Sequence, residues 1–106
     1  MLSEQNKQEL TTAMADNLHM LRSHLGLTQD EIAKIIGVSR HTVLSIENQS
    51  REMSWNTFLS LILLFTKNER TDKLMNILGI YTDELNDFLK LRGRVKVRQG
   101  AKNKAN

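Results

Sequence analysis

"GLTQDEIAKIIGVSRHTVLSIEN", residues 26–48, is the stretch that decides the fold of this chain. It holds two short segments of helical apolar periodicity, separated only by a glycine, a valine and a serine. Thr28 and Glu31 have the spacing of a capping box at the start of the first segment. Gly37 can end that segment in the left-handed conformation, and Ser39 can cap the next one. The stretch therefore predicts two short helices joined by a tight turn, which is the helix-turn-helix pattern.

The second predicted helix, residues 40–48, has two different sides. The stripe predicted to face the core contains Val43, Ile46 and Glu47. The opposite stripe, predicted to face outward, contains Arg40, His41, Leu44, Ser45 and Asn48. An arginine on an open helix side can bond both acceptors of a guanine edge in the major groove. Leu44 is unusual there, and it is either a contact for a thymine methyl group or a simple exposed leucine.

Residues 18–66 resemble the lambda-repressor-like DNA-binding domain of the Cro/XRE family of bacterial and phage regulators. The residues that carry the resemblance are Arg22, Leu27, Thr28, Gln29, Ala33, Gly37, Val38, Ser39, Val43, Ile46, Glu47 and Asn48. The chain departs from the family pattern after residue 48, where the family often has Gly-Lys and this sequence has Gln-Ser-Arg.

The resemblance implies a role for individual side chains. The residues expected to contact DNA bases are Arg40, His41, Leu44 and Ser45. The residues expected to contact phosphates are Gln29, Thr42, Asn48 and Arg51. Helix N-termini favour anions independently of the resemblance, which suits Gln29. Arg22 and Glu47 are expected to form an ion pair that ties the first helix to the end of the recognition helix. Without the resemblance, Arg40 and His41 would be ordinary surface residues at a helix start.

Further helices are predicted on both sides of the motif, so the expected fold is all-α, with five or six short helices. A first helix capped by Ser3 should run to about His24. Its predicted apolar stripe contains Leu10, Met14, Leu18, Leu21 and Leu25. The predicted N-caps of the three later helices are Ser54, Thr71 and Thr82. We expect residues 1–91 to form the folded domain, with the motif at 28–48.

The net charge of +3 conceals an uneven distribution. Residues 1–89 hold 8 bases and 12 acids, whereas residues 90–106 hold 7 bases and no acid. The basic pI of 9.5 is therefore a property of the C-terminal segment. Residues 92–106 are expected to be a disordered basic tail, which either contacts phosphates or only keeps the protein soluble.

Other classes of function find little support in the composition. The chain has no cysteine, which excludes disulfides and thiolate sites and suits a reducing cytoplasm. The most apolar run, residues 58–65, is far shorter than the roughly 20 residues that cross a membrane. The opening residues 1–10 are polar, unlike a secretory signal. No metal-ligand spacing, cofactor loop or catalytic arrangement is present, so no metal, cofactor or enzymatic activity is expected.

The expected function is sequence-specific binding of double-stranded DNA by a cytoplasmic homodimer, with repression as the expected outcome. A dimer would read an inverted repeat, because one recognition helix covers too few base pairs. The apolar residues expected at the dimer interface are Leu59, Leu63, Leu64, Leu85, Phe88 and Leu89. The alternative is an antitoxin or other partner-binding protein that regulates its own operon through the same motif.

Overall fold

The structure, a computed structural model, describes residues 2–91. Six helices follow one another along this part of the chain. They are α1 (Glu4–His24), α2 (Gln29–Ile36), α3 (Arg40–Glu47), α4 (Trp55–Thr66), α5 (Glu69–Ile77) and α6 (Asp83–Leu89). No strand occurs among residues 2–91. The all-α prediction is confirmed, and the predicted basic tail, residues 92–106, lies outside the described residues.

Helix starts follow the capping residues of the sequence closely. At five of the six starts, the predicted hydroxyl accepts the amide hydrogen of the third helical residue, and the caps are Ser3, Thr28, Ser39, Ser54 and Thr82. The capping box of α2 is complete, because Thr28 also donates its amide to Glu31 Oε1 at 2.9 Å. Each such cap stabilises its helix by about 1 kcal/mol.

The predicted cap of the fifth helix is wrong. Asn68, not Thr71, precedes α5, and its side-chain oxygen accepts from the amides of Arg70 and Thr71. Thr71 lies within the helix and is fully buried. Its hydroxyl donates to the backbone oxygen of Phe65 at 2.6 Å, which satisfies a carbonyl at the end of α4.

The turn between α2 and α3 fixes the angle between the two helices. Gly37 has φ 82°, and its amide donates to the backbone oxygen of Ala33 at 2.9 Å. The amide of Val38 donates to the same oxygen at 3.0 Å, which closes the helix end in a Schellman-type arrangement. Ala33 is only 1% exposed, and α3 packs against the helix that carries it.

The core lies between α1 and the helices that pack against it, α3, α4 and α5. The predicted α1 stripe is buried from Leu10 to Leu21, whereas Leu25 at its end is half-buried. Phe58, Leu61 and Phe65 of α4 are fully buried against it. Burying a large apolar side chain contributes about 1.5–3 kcal/mol each, so this core supports the position of the motif.

The C-terminal helices close one end of the core through Met75, Ile80 and Leu85, all fully buried. The prediction that Leu85 lies at a dimer surface is therefore wrong. Leu85 does belong to an apolar side of α6, but it is buried within the chain itself. At the same end, the Lys7 ammonium lies 5.3 Å from the ring centre of Trp55 and 6.0 Å from that of Phe88. This cation links α1, α4 and α6.

Candidate nucleic-acid interface

Arg22 of α1 and Glu47 of α3 form a nearly buried ion pair with two parallel hydrogen bonds. Arg22 Nε donates to Glu47 Oε2 at 2.8 Å, and Nη2 donates to Oε1 at 3.0 Å. The two side chains are 11% and 9% exposed. Arg22 Nη1 also donates to the backbone oxygen of Leu27 at 2.9 Å. The expected pair is thus present, and it joins α1, the loop before α2 and the last turn of α3.

The charges of this pair depend on each other. Burial raises the pKa of the Glu47 carboxyl, but the hydrogen bonds from Arg22 and Gln29, with the charge of Arg22, outweigh it, and the pKa lies below its ordinary value of 4.5. For Arg22, the hydrogen bond to Glu47 is the largest influence and raises the guanidinium pKa against the opposing effect of burial. Both groups are therefore charged in the folded protein at neutral pH.

Gln29 extends the network to the start of α2. Its Nε2 donates to Glu47 Oε1 at 3.0 Å, so its side chain holds the first residue of α2 against the last residue of α3. The second hydrogen of the Gln29 side-chain amide remains for another acceptor. The backbone N–H groups at the start of a helix also point outward from that end, which is therefore the positive end of the helix. The expected phosphate contact of Gln29 stays a prediction.

His19, an exposed residue of α1, also belongs to this network. Arg22 Nη2 lies 2.8 Å from His19 Nδ1, and Glu47 Oε1 lies 3.6 Å from the same nitrogen. A guanidinium can only donate, so in this hydrogen bond Nδ1 of His19 is the acceptor. Its position three residues before Arg22 on α1 is the only signal of this contact in the sequence.

The outer side of α3 exposes most of the residues predicted for it. Arg40, His41 and Asn48 are exposed, and Leu44 keeps 38% of its surface open to solvent. Val43 and Ile46 are 1% exposed and face the core, as predicted. The structure therefore confirms the two-sided character of α3, while the base contacts themselves stay predictions.

Ser45 is the exception, and its predicted outward position is wrong. It is only 5% exposed. Its hydroxyl lies 3.3 Å from Nε2 of His41, one turn earlier on the helix. This hydroxyl could contact a base only if the groups packed around it moved away. Within residues 2–91 its hydrogen-bond partner is His41.

Arg51 returns from the loop after α3 to the beginning of that helix. Its Nη1 donates to Thr42 Oγ1 at 3.0 Å, and Thr42 Oγ1 lies 2.9 Å from the Oγ of the cap residue Ser39. An exposed guanidinium is thereby held beside the N-terminal turn of α3. Thr42 and Arg51, both expected to contact phosphates, are thus adjacent in the fold, although they are nine positions apart in sequence.

The loop that carries Arg51 is fixed by a contact that the sequence pattern does not reveal. Gln49 has φ 65°, a left-handed conformation uncommon for a residue other than glycine, and its Nε2 donates to Asp16 Oδ1 of α1 at 3.2 Å.

The charged side chains near α3 differ in their pairing. Arg40 and Arg51 are exposed there, while Glu47 is neutralised by Arg22 and Asp30 of α2 is paired with Lys34 at 3.1 Å. Between residues 2 and 91, no group of three or more His, Asp or Glu side chains is placed to hold a metal ion. None of the helices in that range has the length and apolar character needed to cross a membrane.

Comparison with known proteins adds no relative: no protein-family profile, curated protein or solved structure matches the chain.

Proposed function

We propose that this protein binds double-stranded DNA in a sequence-specific manner and regulates transcription, with α3 lying in the major groove. One observation carries this proposal: α3 is tied to α1 by Arg22 and to α2 by Gln29, both through Glu47. The outer side of α3 meanwhile exposes Arg40, His41 and Leu44. A groove about 12 Å wide admits one helix, and such a helix needs support from behind and an open front.

Phosphate contacts would set the position of α3 in the groove. Arg51 and Thr42 lie together at the start of α3, and Gln29 begins α2. Asn48, exposed just after α3, is the remaining expected phosphate contact. Such contacts fix register and orientation on the duplex, and base contacts then supply sequence preference. In this proposal Arg40 and His41 read bases and Leu44 contacts a thymine methyl.

A homodimer acting on an inverted repeat, within the bacterial cytoplasm, is part of the proposal. The exposed apolar residues outside the motif favour an interface on the C-terminal half: Leu63 is 63% exposed, Ile77 is 79% exposed and Leu89 is 42% exposed. Leu59, Leu64 and Phe88 are half-buried against the core and would contribute only their open edges. Repression would follow if the operator overlaps a promoter.

A second function is favoured by the same exposed residues. Leu63 and Ile77 could bind a different protein, in which case the chain would be an antitoxin-like partner that regulates its own operon through α3. A toxic partner that copurifies in fixed stoichiometry, with growth failing only when this protein is withdrawn, would support that function over the simple repressor.

The test is selection of bound sites from random duplex DNA, followed by titration of the selected site with Arg40→Ala. We expect a loss of about 1–3 kcal/mol on that site and a relaxed preference at one base pair, because the bonds to a guanine edge are removed. Arg70→Ala is the matched control, since it removes the same charge from an exposed position on α5. If Arg40→Ala and Arg70→Ala behaved alike, α3 would not be the reading helix.

A further inference from the structure

Ser45 is a buried, uncharged polar residue of α3. Ser45 is 5% exposed, and a buried hydroxyl almost always has a hydrogen-bond partner. Serines inside helices commonly donate to the backbone oxygen four residues earlier. Ser23 donates in this way to His19 O at 2.8 Å, and Ser60 donates to Asn56 O at 3.1 Å.

Ser45 has a different partner. Within residues 2–91 its hydroxyl makes one hydrogen bond, at 3.3 Å, with Nε2 of His41. Residues four apart lie on one side of a helix, and helical side chains lean toward the N-terminus, which directs the serine toward the imidazole. His41 itself is exposed at the outer side of α3, so this bond connects a buried group to a group that can meet DNA.

The direction of the bond follows from the hydrogens available. If His41 donated from Nε2, the buried hydroxyl hydrogen of Ser45 would need another acceptor, and none is bonded to it among the described residues. If Ser45 donates to Nε2 instead, its hydrogen is used, and the neutral imidazole carries its own hydrogen on Nδ1. The second arrangement leaves no buried donor without a partner, so it is favoured.

We propose that Ser45 is a positioning residue that holds His41 as an Nδ1–H donor, and thereby makes α3 select a base edge with an acceptor, such as guanine N7 or O6, adenine N7 or thymine O4. The selection rests on the proposed DNA-binding function. A donor at this point disfavours the amino group of cytosine, which also donates. Ser45 thus acts on base preference from inside the fold, through the orientation and tautomer of its neighbour.

The first experiment needs no DNA. The ¹⁵N-labelled full chain is examined by long-range ¹H–¹⁵N correlation at about pH 9, where imidazole rings are neutral. His41 should carry its hydrogen on Nδ1, while His19, which accepts from Arg22 at Nδ1, should carry it on Nε2. Ser45→Ala should convert His41 to the Nε2–H form that imidazole favours in water. Ser60→Ala, which removes a helical hydroxyl from α4, should leave His41 unchanged.

An Nε2–H form of His41 in the unmodified protein, or an Nδ1–H form that survives Ser45→Ala, would overturn the inference. Ser45→Thr keeps a hydroxyl and should restore the Nδ1–H form, which separates loss of the bond from loss of packing. Alanine has a high helix propensity and His41 can bond water instead, so the melting temperature of Ser45→Ala should stay close to that of the unmodified protein.

The second experiment repeats site selection with Ser45→Ala and His41→Ala. Both variants should relax the same base pair, by about twofold to tenfold, which is the range for one hydrogen bond. Arg40→Ala should relax a different one. Relaxation at different positions in the two variants would refute the link between Ser45 and His41. A chain whose spectra behave as expected but which selects no DNA sequence would instead refute the proposed function, and the base-reading role with it.

Discussion

Replacing Arg22 with methionine should destabilise the protein far more than replacing a typical surface lysine. The change removes the guanidinium but keeps a long side chain, so Glu47 is left buried with Gln29 as its remaining side-chain hydrogen-bond donor. Breaking a buried pair by removing one partner costs about 3–5 kcal/mol. Because about a tenth of each side chain is still exposed, we expect about 3 kcal/mol, the lower end. For a domain of this size that corresponds to a melting temperature lower by about 12–24 °C.

The assay is urea unfolding followed by circular dichroism, with a double-mutant cycle. Lys34→Met is the matched control, because it breaks the pair with Asp30 in which the side chains are 77% and 53% exposed. That surface pair should contribute less than about 1 kcal/mol. Arg22→Met combined with Glu47→Leu should recover most of the loss, since two apolar side chains leave no buried charge. A cost for Arg22→Met no larger than that for Lys34→Met would refute the reasoning.

Because of the Arg22–Glu47 pair, we expect acid to change the stability of the unmodified protein and of the Arg22→Met variant in opposite directions. In the unmodified protein the pKa of Glu47 is depressed, so its contribution is complete above the ordinary value of 4.5 and is lost as the pH falls through the lower folded value. In Arg22→Met, burial remains while the opposing cation is gone, so the folded pKa should rise. Glu47 would then favour the folded state at low pH and oppose it as the pH rises. Unfolding curves between about pH 3 and pH 6 measure both slopes.

Three further outcomes are expected. Gly37→Ala should lower the free energy of unfolding by about 1 kcal/mol because residue 37 has a positive φ. A clash is not the cause, since no atom lies within 4 Å of the added Cβ. Gly37→Asn should lower the free energy of unfolding by less in the same denaturation assay. Leu63→Glu or Ile77→Glu should shift sedimentation from dimer to monomer without lowering stability, and a monomeric parent would exclude the homodimer. Truncation after Leu91 should reduce the slope of log K against log salt by about 0.9 for each phosphate that the tail contacts, equally for selected and random DNA; an unchanged slope would leave the tail with a solubilising role only.

Local chemistry explains why so much of the fold could be predicted from the sequence. A hydroxyl at a helix start and a glycine at a helix end act on the adjacent backbone, so Thr28, Gly37 and Ser39 occupy their expected places regardless of the rest of the chain. The cap of α5 needed more than local chemistry. Asn68 and Thr71 are both good caps, and the choice depends on the carbonyl of Phe65, which is contributed by the end of another helix.

The candidate site shows the same limit. A helical wheel places Ser45 close to His41, but it cannot show that Ser45 is buried while His41 is exposed, because that depends on how the helices pack. Likewise, an apolar face such as that of α6 looks the same in sequence whether it is buried within the chain, as Leu85 is, or available to a partner. The contact between Asp16 and Gln49 spans 33 residues and leaves no periodic signal at all.

The contact of Lys7 with two aromatic rings gives this protein a built-in optical probe. Trp55 is the one tryptophan in the sequence, and it is stacked on Phe58 at 4.8 Å between ring centres, with the Lys7 ammonium nearby. Fluorescence excited at the red edge of the protein's absorption band therefore originates from a single indole, at the junction of α1 and α4. Because Lys7 also lies over Phe88, release of α6 would alter the electrostatic field at that indole. Loss of the last helix could thus be followed as a change of emission, without a label on any other helix.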